Sequence, residues 1–132
     1  DTHGDDAIFC SAALAFHKLG NVPRDAVDIA IERRAAKPRL DYPKLRVARL
    51  GGTAFTEGVE IHRLEGVEVQ IYALEKTLTD LFKFRNKIGP HIAVDALRSA
   101  LASGRVDHKK LWKYARLCRV ERVMKPYVDA LA

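Results

Sequence analysis

Basic side chains recur at helical spacing in the second half of the chain. Lys83 and Lys87 follow Lys76 at i+7 and i+11, with Asp80 between them, and Lys109, Lys113 and Arg116 repeat at i, i+4 and i+7. The spacing predicts a basic surface for phosphate groups or an acidic partner, formed by Lys83, Lys87, Lys109, Lys113, Arg116, Arg119 and Arg122. The alternative is the solvated face of ordinary amphipathic helices, with Lys76 and Asp80 as an i, i+4 pair.

Aromatic residues lie among these basic positions. Phe84, Trp112 and Tyr114 could stack on nucleic-acid bases, although aromatic residues at helical spacing more often belong to a core.

The charge of the chain is concentrated in its second half. The 132 residues carry a formal net charge of +6, with 48% hydrophobic and 30% charged residues, which is typical of a globular protein of one domain. Residues 1–66 hold 10 Lys and Arg against 10 Asp and Glu, whereas residues 67–132 hold 13 against 7. The basic half indicates an acidic partner without identifying it.

Metal and nucleophile motifs receive no support from the spacing of the candidate residues. The five histidines have no i, i+4 pair on one helix, and there is no Cys-x-x-Cys, so we expect no metal and no cofactor. The glycine cluster Gly51-Gly52-Thr53 lacks the phosphate-loop pattern and predicts a turn. Cys10 and His17 predict core positions, and Cys10 and Cys118 predict reduced, buried thiols.

Carboxylates in the strand region keep one enzymatic alternative open. A metal-dependent nuclease could use Asp41, Glu57, Glu60 or Glu68, but Glu68-Val69-Gln70 has Gln where such a strand motif carries Lys. We therefore expect no catalytic residues and no enzyme.

The two ends of the chain bear on its location. The start Asp1–Asp6 is acidic and resembles no secretory or transit peptide, and no apolar run approaches a membrane span, so the sequence predicts a cytoplasmic location and no membrane partner. The only methionine is Met124, which predicts a fragment that lost an upstream segment. We expect one domain over 1–132, with residues 1–6 disordered.

Short strands are predicted in the first part of the chain. The spacing predicts a helix from Ala7 or Ile8 to Leu19, strands over 27–31 and 45–50 separated by a loop, and two strands over 59–64 and 67–72. A two-residue turn at Glu65-Gly66 would put Arg63 opposite Glu68, and a bulge at Gly66 would bring the apolar side chains of both strands to one face.

The period becomes helical from Leu74 onward. The pattern predicts one helix from Leu74 to Ile88, a second containing 92–101 and closed by Gly104, a third capped by Asp107, and a fourth over 120–131 with Pro126 as an awkward residue. The predicted fold class is α+β: a small, mostly antiparallel sheet preceded by one helix and followed by a C-terminal bundle of about four helices.

Several segments together resemble a known family. They are Ser11–Leu19, Val27–Ile31, Pro38–Leu40, Leu45–Val47, Glu57–Glu60 and, above all, Tyr72–Gly89. In this order and spacing they resemble the C-terminal region of the abortive-infection AbiE antitoxins, and the resemblance covers most of the chain.

The resemblance implies a bacterial type IV antitoxin and transcriptional regulator that counters a nucleotidyltransferase-like toxin without necessarily touching it. It implies DNA binding mainly through an N-terminal winged helix-turn-helix, which is not recognisable before Ile8, and it supplies no catalytic residues. A non-enzymatic antitoxin domain is therefore the leading hypothesis. A protein-interaction module with an exposed apolar helix surface is a further alternative, and the oligomeric state stays open.

Overall fold

Three strands near the N-terminus form one sheet. The computed structural model describes residues 8–9, 16–19, 26–37 and 44–131. Strand β1 (Ile8–Phe9) pairs antiparallel with β2 (Ala26–Glu32), and β2 pairs in parallel with β3 (Lys44–Leu50). Ile29, Ala30 and Ile31 of β2 are buried, as expected for a central strand with a partner on each side.

Two further strands form a hairpin with a tight turn. Strand β4 (Val59–Leu64) pairs antiparallel with β5 (Val67–Tyr72), and Arg63 lies opposite Glu68. The turn residues Glu65 and Gly66 both have positive φ, 50° and 82°, as a two-residue type I′ turn requires. Of the two alternatives left open by the sequence, the two-residue turn is observed and the bulge at Gly66 is not, because the register is continuous from Leu64 and Val67 to Val59 and Tyr72. Ile61 consequently stays 67% exposed.

Most of the other described residues lie in helices. A four-residue helix, α1 (Thr53–Thr56), follows β3, and five helices follow the hairpin: α2 (Leu74–Lys83), α3 (Arg85–Ile88), α4 (Pro90–Ser103), α5 (His108–Leu117) and α6 (Glu121–Leu131). Gly104 ends α4 in the left-handed conformation, and the Asp107 carboxylate caps α5 by accepting from the amides of Lys109 and Lys110. Both helix boundaries agree with the predictions from sequence.

The buried side chains form two clusters. The larger one lies between the C-terminal helices and includes Leu78, Phe82, Leu97, Leu111 and Met124. The smaller one, formed by Ala30, Leu50, Phe55 and Tyr72, lies under the strands. Ala54 packs against both clusters and connects the helical side of the molecule with the strand side.

The α+β class and the helical C-terminal part are confirmed, and three local expectations need correction. Ile8 and Phe9 are a strand rather than the start of a helix, because they pair with Ala30 and Ile29 at the edge of β2. The predicted helix over 74–88 is broken at Phe84, whose backbone (φ −104°, ψ 21°) leaves the helical region. The 53–56 helix was not expected. Residues 1–6 and Cys10 lie outside the described residues.

No helix in the described ranges combines the length and the apolar character that a membrane crossing requires.

Candidate functional site

All seven basic residues of the predicted surface have exposed side chains. Lys83 ends α2, and Lys87 lies in α3 with its Nζ 5.9 Å from the Phe84 ring centroid. Lys109, Lys113 and Arg116 lie on α5, Arg119 follows that helix, and Arg122 lies in the first turn of α6. The structure thus places these cations on four helices and one connecting turn.

Two of the seven cations are paired with carboxylates, and both pairs are exposed. Lys113 Nζ lies 3.5 Å from Glu57 Oε1, and Arg116 Nη1 lies 3.4 Å from Glu121 Oε2. Within the described part of the chain, the other five form no ion pair shorter than the 4.0 Å limit of such contacts. Their charge remains available to an anionic partner. We call these five residues, Lys83, Lys87, Lys109, Arg119 and Arg122, the unpaired cations.

Helix packing brings the two runs of basic residues toward each other. Helix α2 packs along α5, and α5 packs on α6. Cys118 Sγ lies 3.9 Å from Asp80 Oδ1. Because Asp80 is in the last turn of α2 and Cys118 directly follows α5, the end of α2 with Lys83 lies beside the end of α5 with Arg116.

Lys76 does not belong to the exposed surface. The sequence placed it on one face with Lys83 and Lys87, but its side chain is fully buried. Its Nζ donates to both oxygens of Asp80, at 2.9 and 2.8 Å, and lies 3.8 Å from the centroid of the Tyr72 ring. The i, i+4 pairing of Lys76 with Asp80 is confirmed, but the expectation that this pair is solvated is wrong, because the pair lies in the core.

The stem of Lys76 is covered by the start of the hairpin. A Cβ on Gly58 would lie 2.9 Å from the Cβ of Lys76, so only glycine permits this approach of backbone to helix. Gly58 also accepts a 2.7 Å hydrogen bond from the Ala73 amide through its carbonyl. The hairpin is thereby fixed against the first turn of α2 and excludes water from the ammonium group.

Cys118 lies next to this ion pair. Its Sγ is 3.9 Å from Asp80 Oδ1, and the thiol is free and buried, as the sequence predicted. Burial, followed by the charge of Asp80, raises the pKa of the Cys118 thiol, while burial raises the pKa of the Asp80 carboxyl against the opposing effect of Lys76. A thiol with a raised pKa is a poor nucleophile near neutral pH, so these groups form a structural rather than a reactive cluster.

Tyr72 connects the N-terminal residues with the helices. Its carbonyl accepts from His17 Nε2 at 2.9 Å and from Thr77 Oγ1 at 3.2 Å, and its hydroxyl donates to the Phe55 carbonyl at 2.6 Å. His17 is buried, which confirms its core position. Arg105 Nη2 donates to the His17 carbonyl at 2.6 Å and closes the connection from the helical side. No sequence pattern predicts this network, because its members lie up to 88 residues apart.

The carboxylates of the nuclease alternative do not converge. Glu60 Oε1 accepts a 2.8 Å hydrogen bond from His62 Nε2, and Glu68 accepts from Arg63 Nη2 at 3.3 Å. Residues opposite each other in a hairpin share a face, so Glu68 lies on the face of Arg63, which is the opposite face from Glu60. Glu57 pairs with Lys113, and Asp41 lies outside the described residues.

Over the described ranges, no group of three or more His, Cys, Asp or Glu side chains is arranged to hold a metal ion.

Comparison of the chain with known protein families gives no match, and comparison with curated protein sequences gives none either.

Proposed function

We infer that this chain is a non-enzymatic, cytoplasmic antitoxin and transcriptional-regulator domain of a bacterial type IV toxin–antitoxin system, which counters a nucleotidyltransferase-like toxin. The basic helical surface, with Lys83, Lys87, Lys109, Lys113, Arg116, Arg119 and Arg122, contacts nucleic-acid phosphates or an acidic partner surface. The family assignment rests on the resemblance of Tyr72–Gly89 and the shorter segments to the AbiE antitoxins.

The observation that supports the role of the surface is that five of its seven cations have no neutralising carboxylate among the described residues. These five cations are exposed and lie on adjoining helices or, for Arg119, in the turn between two of them, while Lys76, the one basic residue of the pattern that is buried, has its own carboxylate. Exposed cations left unpaired on packed helices suit a partner with distributed negative charge, such as a phosphate backbone.

Toxin neutralisation in cells tests the proposal. The 132-residue chain is expressed beside the toxin encoded next to its gene, either intact or with Lys83→Glu, Lys87→Glu and Arg116→Glu combined. We expect the intact chain to restore growth and the charge-reversed chain to lose this effect, because reversal replaces attraction for an anionic partner by repulsion.

A matched control separates the surface from total charge. Arg63→Glu, Arg98→Glu and Lys125→Glu lower the net charge by the same amount, and all three cations are exposed and paired with carboxylates. The control variant should restore growth as the intact chain does. If both variants restore growth, the surface has no part in neutralisation, and if the folded intact chain fails to restore growth, the antitoxin proposal is wrong.

A further inference from the structure

A second group of basic residues lies on the opposite half of the sequence, at one end of the parallel strand pair. Strands β2 and β3 end together, since Glu32 is in register with Leu50. The residues that follow are Arg33-Arg34 after β2 and Gly51-Gly52 after β3. Carboxyl ends of parallel strands are the edge at which α/β proteins bind ligands. We refer to Arg33, Arg34 and Arg49 as the arginine turn.

Arg49 holds the arginine turn in place. From the penultimate position of β3, its Nη1 donates to the carbonyls of Arg33, at 3.0 Å, and Ala35, at 2.7 Å. The Ala35 amide donates to the Glu32 carbonyl at 3.0 Å and closes the turn directly after β2. The Arg49 guanidinium of β3 thus holds the backbone that follows β2. This contact fixes the backbone positions of Arg33 and Arg34.

The guanidinium of Arg33 lies against the backbone of Gly51. A Cβ on Gly51 would be 2.9 Å from Arg33 Cζ and 3.0 Å from Nη2, so the missing side chain makes room for the guanidinium. Gly51 is absent from the glycines with positive φ, so its backbone conformation does not by itself require glycine. The described residues therefore explain glycine at position 51 by the space that the Arg33 guanidinium occupies.

Among the described residues, no carboxylate forms an ion pair with the arginine turn. Arg33, Arg34, Arg49 and the nearby Lys37 are all exposed, and none forms an ion pair with a carboxylate among the described residues. The adjacent carboxylate, Glu32, accepts from the backbone amide of Arg34 at 2.7 Å rather than from a guanidinium. Gathering like charges is unfavourable unless an anion joins them, and planar guanidinium groups match the geometry of phosphate oxygens.

We propose that the arginine turn is a phosphate-binding site for a nucleic-acid backbone, with Arg33 and Arg34 contacting the phosphate and Arg49 positioning them. This site lies in the half of the sequence that has no net charge, and it is separate from the basic helical surface of the proposed function.

Binding of a fluorescein-labelled 20-base-pair DNA duplex to the full chain tests the site. The dissociation constant is measured by anisotropy over a series of NaCl concentrations. Arg33→Ala should weaken binding and make the slope of log K against log salt less negative by about 1, the value for one lost phosphate contact. Arg98→Ala, which removes an exposed cation paired with Asp95, should leave both quantities unchanged.

Gly51→Ala distinguishes a built site from general charge attraction. The substitution keeps every charge, and it displaces the far end of the Arg33 side chain without straining the backbone. We expect far-UV circular dichroism to match the parent chain and DNA binding to weaken as in Arg33→Ala. Unchanged binding in both variants, or equal weakening in Arg98→Ala, would overturn the proposal.

Competing anions identify the chemistry that the site recognises. Inorganic phosphate at a few millimolar should displace little DNA, because a single phosphate lacks the neighbouring charges of a backbone, and poly-glutamate of equal charge should compete poorly. Displacement of the duplex by millimolar phosphate would assign the site to free phosphate instead, and equal competition by poly-glutamate would assign it to an acidic peptide. The Lys83, Lys87 and Arg116 reversal should leave the difference between Arg33→Ala and its parent intact, so the two proposals fail separately.

Discussion

Lys76 and Asp80 form a buried ion pair, although their spacing in the sequence predicts an exposed one. Their i, i+4 spacing is typical of exposed helix pairs, yet the ammonium is fully buried against Tyr72 and the pair is bidentate. The spacing predicts the pairing of Lys76 with Asp80 but not its burial, because burial depends on the hairpin, whose start at Gly58 packs against the aliphatic part of Lys76. The spacing of residues along a helix predicts which side chains pair, whereas the packing of distant segments determines whether the pair is exposed to solvent.

Removal of one partner of this pair should be costly. Asp80→Ala leaves the Lys76 ammonium buried without a carboxylate, and we expect a loss of about 3–5 kcal/mol in the free energy of unfolding by urea denaturation. Lys76→Met combined with Asp80→Leu should recover most of this loss, because no charge remains in the core.

The exposed pair of Lys125 and Asp129 provides the control. It has the same i, i+4 spacing and a 2.9 Å contact, so Asp129→Ala should leave the unfolding midpoint unchanged within error. An Asp80→Ala variant as stable as Asp129→Ala would show that water reaches Lys76.

Cys118 should be a slow thiol in the folded protein. Burial and the neighbouring Asp80 carboxylate raise its pKa, so at pH 8 less of it is thiolate than in an exposed cysteine. We expect alkylation by iodoacetamide in a Cys10→Ser background to be slow under native conditions and to accelerate in 8 M urea. Its rate should keep rising with pH beyond the point at which glutathione levels off, and a native rate equal to that of glutathione would contradict the packing described here.

Within the hairpin, two glycines with the same φ angle allow the cost of backbone strain to be distinguished from the cost of overpacking. Gly58 and Gly66 both have φ of 82°, but a Cβ on Gly66 meets nothing within 4 Å, whereas one on Gly58 meets the Lys76 stem. Gly66→Ala should lower the free energy of unfolding by about 1 kcal/mol through backbone strain alone. Gly58→Ala should cost about 1–3 kcal/mol more because of overpacking, measured by the same denaturation curves.

Equal losses in the two variants would mean that the hairpin can move away from α2 without cost. Far-UV circular dichroism of both variants should remain that of the parent chain, which keeps the comparison within one fold.

The elements that periodicity predicts well are those stabilised by their own pattern. The alternation over 59–64 and 67–72 gave both hairpin strands with their observed ends, and Asp107 and Gly104 gave two helix boundaries. The parallel pairing of β2 with β3 was not predictable, because the alternation of side chains within a strand does not indicate which strand pairs with it. The arginine turn was missed for the same reason, because Arg33 and Arg49 meet only through that pairing.

At the scale of the whole molecule, the strand and helix parts should unfold as one unit. Ala54 packs against both clusters, and Tyr72, His17 and Arg105 connect the two parts by buried or partly buried hydrogen bonds. Trp112 packs on the helical cluster, so its fluorescence reports that part, while hydrogen exchange at Ile29, Ala30 and Ile31 reports the central strand. We expect both probes to give the same free energy of unfolding, and a lower value for the strand amides would show independent opening.

The hydrogen bond from Arg105 to the His17 carbonyl joins positions 88 residues apart. Synthesis delivers the chain from its N-terminus at roughly 5–20 residues per second, so the partner of His17 emerges seconds after the first strands do. During that interval Ala30 of β2 lacks Tyr72, which completes its buried cluster, and the β2 segment is exposed to other nascent chains and to chaperones. The vulnerable period of this protein in the cell therefore falls before its basic half has left the ribosome.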